Sequence, residues 1–131
     1  MIYLLDLNYT LVGNSEHKAS PFIRQIDAEE YREELLARLK GERVFLLTAR
    51  PARYEAATLQ SLSEKTGWQP ERSYFNSYNL PPPSAKQVML KDILREYEPQ
   101  ELFAIESNPK TREMYARHGV ASQTWSNFLC R

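Results

Sequence analysis

Short apolar runs that break abruptly into polar residues constrain this chain more than any other feature. Ile2-Tyr3-Leu4-Leu5 ends on Asp6, Val44-Phe45-Leu46-Leu47 on Thr48-Ala49-Arg50-Pro51, and Leu102-Phe103-Ala104-Ile105 on Glu106-Ser107-Asn108-Pro109. Continuous rather than alternating apolar residues mark strands covered on both faces, and such strands belong to parallel sheets flanked by helices. A weaker run at Ser73-Tyr74-Phe75 and a last one from Val120 to Trp125 complete the set. Right-handed crossovers gather the C-terminal ends of parallel strands along one edge, where ligands bind. The pattern therefore predicts an α/β protein, a three-layer α/β/α Rossmann-like sandwich with a mainly parallel sheet and Asp6 at a pocket. The polar residues after Asp6 predict a chain that curls back over the strand end.

Helix patterns fill the gaps between these runs. Residues 12–26 mix Gly13, Asn14, Ser15, His17, Ser20 and Pro21 with few apolar positions and read as a loop able to form a flap. His17, a lone histidine in a polar loop, reads as a surface residue. Asp27-Ala28-Glu29-Glu30 has the form of a capping box, and the stripe Tyr31, Leu35, Leu36 and Leu39 predicts one helix closed by Gly41. A second helix is predicted from Ala52 to Thr66, with Gly67 as its stop. A third runs from Ser84, in capping-box spacing with Gln87, to Glu98 before Pro99. Asn108-Pro109 suits an N-cap and first helical position, and that helix ends near His118.

The 131 residues favour a single domain, 1–131. Lys and Arg total 17, as do Asp and Glu, so nothing in the bulk charge selects a polyanionic partner. The lone Cys130 forms no internal disulfide, and neither a signal segment nor an apolar run near the roughly 20 residues of a membrane span is present. A cytoplasmic location and no membrane association are the expectations.

Asp6-Leu7-Asn8-Tyr9-Thr10-Leu11 resembles the first motif, Asp-x-Asp-x-Thr, of haloacid-dehalogenase-type (HAD-like) phosphotransferases. In that family the first Asp attacks phosphorus and the second serves as general acid and base. This chain carries Asn8 at the second position, and an amide has no proton to give at neutral pH. Leu46-Leu47-Thr48-Ala49-Arg50-Pro51 resembles the second motif, which implies that the Thr48 hydroxyl and neighbouring amides, including that of Ala49, bind phosphoryl oxygens. Arg50 could add a bidentate fork or serve as a salt bridge. Met89-Leu90-Lys91-Asp92-Ile93-Leu94 matches the third, lysine-bearing motif and favours Lys91 over Lys86. Ala104-Ile105-Glu106-Ser107-Asn108-Pro109-Lys110-Thr111 resembles the fourth, which normally supplies acidic ligands for Mg²⁺. The resemblance thus implies Asp6, Asn8 and Lys91 as catalytic residues and Asp6, Asn8, Glu106 and Ser107 around Mg²⁺, although Ser107 is a poor ligand for a hard dication.

No interval is long enough for a cap domain, so the resemblance implies an open, capless site suited to a large phosphorylated substrate. A narrower likeness is to the phosphatase half of polynucleotide kinase-phosphatases and related RNA-repair domains. Two functions follow as expectations: a weak or specialised Mg²⁺-dependent phosphohydrolase using an aspartyl-phosphate on Asp6, acting on a large substrate such as a nucleic-acid end, or a catalytically impaired phosphate- or nucleic-acid-binding module.

Overall fold

The computed structural model describes residues 1–97 and 101–130. Five strands, β1 (Ile2–Asp6), β2 (Arg43–Pro51), β3 (Arg72–Asn76), β4 (Leu102–Ile105) and β5 (Ala121–Gln123), form one sheet in the order β3-β2-β1-β4-β5. Every pairing is parallel, and β1 lies at the centre with Leu5 opposite Leu46 on one side and Ile105 on the other. The short run Ser73–Phe75 is thus a true strand.

Strand parity decides which layer each residue enters. Leu5, Val44, Leu46 and Ile105 pack with Leu35, Leu36, Leu39, Leu62 and Phe128 from α2 (Glu33–Leu39), α3 (Glu55–Thr66) and α6 (Trp125–Leu129). Ile2, Leu4, Phe45, Leu47 and Ala104 face the other way, against Ala85, Met89, Leu90 and Ile93 of α4 (Pro82–Glu96) and Met114 and Tyr115 of α5 (Pro109–Arg117). Two apolar cores on opposite faces make the three-layer α/β/α arrangement. No helix is long and apolar enough to cross a membrane among the described residues.

Several boundaries differ from the sequence expectations. The single helix predicted from Asp27 is two, α1 (Phe22–Ala28) and α2, because Glu29 adopts an extended backbone and Tyr31 forms an antiparallel bridge to Val12. The bridge is reinforced by Gly13 N–H donating to Glu30 O (2.7 Å) and Arg32 N–H donating to Leu11 O (2.7 Å). The predicted loop 12–26 therefore ends in a helix. The capping box at Ser84 does not form, since Pro82 and Pro83 already occupy the first helical positions, where a missing N–H costs nothing. The predicted end of that helix, Glu98, lies outside the described residues. Asn108 caps α5 as expected, its side chain accepting from Lys110 N and Thr111 N. β5 ends at Gln123, and Thr124 then caps α6, a helix the sequence reading did not anticipate.

Candidate functional site

The ends of β1, β2 and β4 meet the start of α4 around a cavity of about 210 Å³ lined by Asp6, Asn8, Thr48, Lys86, Glu106 and Ser107, among others. Parity explains the meeting. Asp6 continues the Ile2–Leu4 row and Glu106 the Ala104 row, so both carboxylates point to the α4 face. On α4 the buried positions are Ala85, Lys86, Met89, Leu90 and Ile93, one helical stripe. Lys86 lies in that stripe and reaches both carboxylates, Nζ donating to Asp6 Oδ1 (2.7 Å) and to Glu106 Oε1 (2.6 Å).

Lys91 is thereby corrected. It is exposed and does not line the cavity, because five residues along a helix turn it well away from the stripe that Lys86 shares. Helical phase was the signal that separates the two lysines; the local apolar-Lys-x-x-apolar pattern is blind to it.

The remaining oxygens of the cluster are also engaged. Asp6 Oδ2 accepts from Thr10 Oγ1 (2.7 Å) and Ser107 Oγ (2.9 Å), and Glu106 Oε2 accepts from Asn108 N (3.1 Å). Burial pushes the Asp6 carboxyl up, but the Lys86 charge and the bonds it receives outweigh that and hold it below its ordinary value. Burial likewise works against the Lys86 charge, and the two carboxylates overcome it, so Lys86 stays protonated. Glu106 goes the other way. Burial and then the nearby Asp6 charge, opposed by Lys86, push it up to about 7.

Arg50 occupies a different place from a phosphate fork. It is buried, and its NH1 and NH2 donate to both oxygens of Glu29, NH1 also to Thr58 Oγ1 (2.9 Å) and NH2 also to Asn8 Oδ1 (2.9 Å). Of the two roles read from sequence, the salt bridge is the one observed, although it is interior rather than on the surface. Glu29, 21 positions away, was missed as a partner because no local pattern announces so remote a pairing. Thr48 lines the cavity, and its Oγ1 accepts from Arg50 N (3.1 Å), leaving the hydroxyl proton free to turn inward. Ala49 lines the cavity beside it.

Asn8 joins the two clusters. Guanidinium groups only donate, so the oxygen of the Asn8 amide must be the atom facing Arg50. Its Nδ2 then has no hydrogen-bond acceptor among the described residues, and Asn8 lines the cavity.

The residues that the resemblance assigns to Mg²⁺ do not fit it. Asp6 Oδ2, Asn8 O and Ser107 Oγ converge, with Ser107 Oγ 2.9 Å from the first and 3.4 Å from the second, but only one of these oxygens is anionic. Asp6 Oδ2 already accepts two hydrogen bonds, and the Glu106 carboxylate is turned to Lys86 and to Asn108 N, so a hard dication would find one anionic oxygen where the pattern the chain resembles supplies several. A larger cleft, about 460 Å³ beside Leu36, Ala37 and Trp68, shares no lining residue with this cavity; its charged residues Glu33 and Lys40 are exposed.

No protein-family model matches the chain, and no curated protein matches it. Solved structures do. Chains in two structures of the Pnkp1/Rnl/Hen1 RNA repair complex superpose with TM-scores of 0.70 and 0.73 at 16% and 17% sequence identity. Each superposition covers 94% of this chain but only 41% and 44% of those chains, so this chain spans less than half the length of the proteins it is similar to. At such identity the likeness establishes the fold: an α/β three-layer architecture shared with a component of an RNA repair assembly.

Proposed function

We propose that the chain is a phosphate-binding module of HAD-like architecture that holds a phosphoryl group, by preference on a nucleic-acid end, without a metal ion. The observation that carries this reading is the Asn8 amide, whose oxygen is held by Arg50 and whose NH₂ is thereby left as an unpartnered donor on a residue that lines the cavity. Asn8, the Thr48 hydroxyl and the third proton of the Lys86 ammonium then supply hydrogen-bond donors around one cavity. Relative to the pattern the chain resembles, Asn8 and Ser107 each replace a carboxylate, and together they remove two negative charges. A cavity that would need a dication to tolerate phosphate becomes nearly neutral: Asp6 balances Lys86, and Glu106 is half protonated near pH 7. The fold shared with chains of an RNA repair complex supports a nucleic-acid phosphate as the ligand.

One observation favours the second reading, a phosphohydrolase. Asp6 lines the cavity and is held ionised, as a carboxylate nucleophile must be. Against it, both Asp6 oxygens are covered by donors, and position 8 offers no acid, a loss of about 10²- to 10⁴-fold.

The two readings part in one experiment. Isotope-labelled protein is titrated with inorganic phosphate and with a 3′- or 5′-phosphorylated oligonucleotide, in chelator and in Mg²⁺, alongside p-nitrophenyl phosphate turnover by wild type and Asp6→Asn. The module reading expects saturable shifts in chelator, weakened in Asn8→Asp, and no turnover above the Asp6→Asn level. Binding that requires Mg²⁺, or turnover that vanishes in Asp6→Asn, establishes the hydrolase instead. Rebuilding the acidic pattern with Asn8→Asp and Ser107→Asp together should create Mg²⁺ affinity that the wild type lacks.

A further inference from the structure

Tyr9 has a left-handed backbone, φ 61° and ψ 4°, which crowds the Cβ of any residue but glycine and is tolerated chiefly by asparagine and aspartate otherwise. The other described residues with positive φ are Gly41, Gly67, Gly119 and Asn79, all of types that accept it. Tyr9 is the exception, and its setting holds the strain in place. Its N–H donates to the buried Ser15 Oγ (2.7 Å), Val12 N–H closes the turn onto Leu7 O (2.9 Å), and Leu7, Thr10 and Leu11 around it are fully buried. Yet the ring that causes the strain contributes little to the core: Tyr9 is 50% exposed. Of the large apolar residues exposed among those described, Met1, Tyr9, Ile23, Leu80 and Leu94, only Tyr9 lines the Asp6 cavity. Strain maintained for a solvent-facing ring at the mouth of a site is a pointer to function rather than folding.

Resting on the phosphate-binding reading above, we propose that Tyr9 is the platform on which the base next to the bound phosphate stacks. The ring lies at the lip of the cavity, one residue from the Asn8 donor, so a phosphoryl group seated inside leaves its nucleoside at the ring. Every base offers a π face to an aromatic side chain, so the contact selects nucleotides over bare phosphate without reading sequence. Lys18, exposed, stands at the hydroxyl end of the ring, Nζ 3.2 Å from the Tyr9 oxygen and 5.2 Å from the ring centroid. There it meets the next backbone phosphate of a chain that stacks on Tyr9, a charge contact that salt weakens. An aromatic ring beside a single cation suits a nucleic-acid strand better than a phosphopeptide, whose flanking side chains have no common flat face.

The test uses four ligands in chelator: inorganic phosphate, a short phosphorylated oligonucleotide, the same oligonucleotide without its phosphate, and a phosphopeptide. The proteins are wild type, Tyr9→Gly and Tyr9→Trp. Tyr9→Gly relieves the backbone, so its melting temperature should not fall, while the ratio of oligonucleotide to inorganic-phosphate affinity should drop roughly 5- to 150-fold. Tyr9→Trp should keep or raise that ratio. If the wild type binds phosphate and phosphorylated oligonucleotide but the ratio is the same in Tyr9→Gly, the platform is refuted and the phosphate reading stands. If phosphorylated and unphosphorylated oligonucleotides bind equally and inorganic phosphate does not bind, the phosphate reading fails and this proposal with it. Phosphopeptide binding as tight as that of the phosphorylated oligonucleotide also overturns the proposal.

Discussion

Asp6, Lys86 and Glu106 on the α4 face of the sheet and Glu29 and Arg50 on the opposite side are both buried ion clusters, but the first holds one carboxylate more than its cation matches. Its extra carboxylate, Glu106, titrates at about 7 and can take up a proton when the balance of charge changes. The second is one carboxylate, paired through both of its oxygens, against one guanidinium. The first lines the Asp6 cavity, and neither Glu29 nor Arg50 is among that cavity's lining residues. Asn8 touches both, its side-chain oxygen on Arg50 and its backbone oxygen 3.4 Å from Ser107 Oγ. The difference separates two uses of buried charge. One cluster lines the cavity and carries a surplus carboxylate; the other is matched charge for charge and holds the Asn8 side-chain oxygen.

The matched cluster should be the more costly to break. Glu29→Ala leaves the Arg50 charge buried with only Thr58 Oγ1, Asn8 Oδ1 and the Phe22 ring, whose centroid is 5.0 Å away. Loss of about 3–5 kcal/mol is expected in urea unfolding. Glu29→Leu with Arg50→Met should recover most of it, because a buried pair replaced by apolar groups of similar size is often neutral. A cost under 1 kcal/mol for Glu29→Ala would show that the two clusters are not different in kind.

Lys86→Met is the corresponding break in the cluster with the surplus carboxylate. Glu106 titrates at about 7 folded against an ordinary 4.5, so between those values the folded protein holds the extra proton and stability from this group falls as pH rises, levelling off above 7. Without Lys86 the carboxyl is driven higher still, and the decline continues above pH 7 at up to about 1.4 kcal/mol per pH unit. Lys86→Met should therefore cost less than Glu29→Ala near pH 6 and approach it above about pH 8. A cost that does not vary with pH would mean that Glu106 does not buffer the cluster.

How far these clusters could be read from sequence follows from the range of the interactions involved. The strands, the parallel sheet and the placing of Asp6, Thr48 and Glu106 at one edge were legible, because apolar runs ending in polar residues are local patterns and parallel topology does the rest. Asn108 as the cap of α5 was legible for the same reason. Lys86 was within reach through helical phase, since it shares the stripe of Met89, Leu90 and Ile93 that Lys91 leaves. The Glu29–Arg50 pair was not, and neither was the break between α1 and α2. The break follows Tyr31 pairing with Val12, a contact between a predicted loop and a segment whose own pattern favours a continuous helix, and the ion pair joins residues 21 positions apart. The strain at Tyr9 was invisible too, because a motif written in residue types carries no backbone angle.

The smallest expected effect concerns the ligand rather than the fold. If Glu106 adds a negative charge to the cavity on passing through pH 7, anion affinity should fall across that pH, on the order of tenfold between about pH 6 and 8 for a charge at this range. Sulfate is the probe of choice because, unlike phosphate, it does not itself titrate there. Glu106→Gln keeps an oxygen for the Lys86 ammonium while removing the proton equilibrium, and its sulfate affinity should be flat with pH at about the low-pH level of the wild type. Glu29→Gln, in the matched cluster, should leave the pH step in place even where it lowers stability. Calorimetric titration at several pH values reads both profiles. A wild-type profile that is already flat would remove the titrating group from the cavity, and with it the distinction between the cluster with a surplus carboxylate and the matched one.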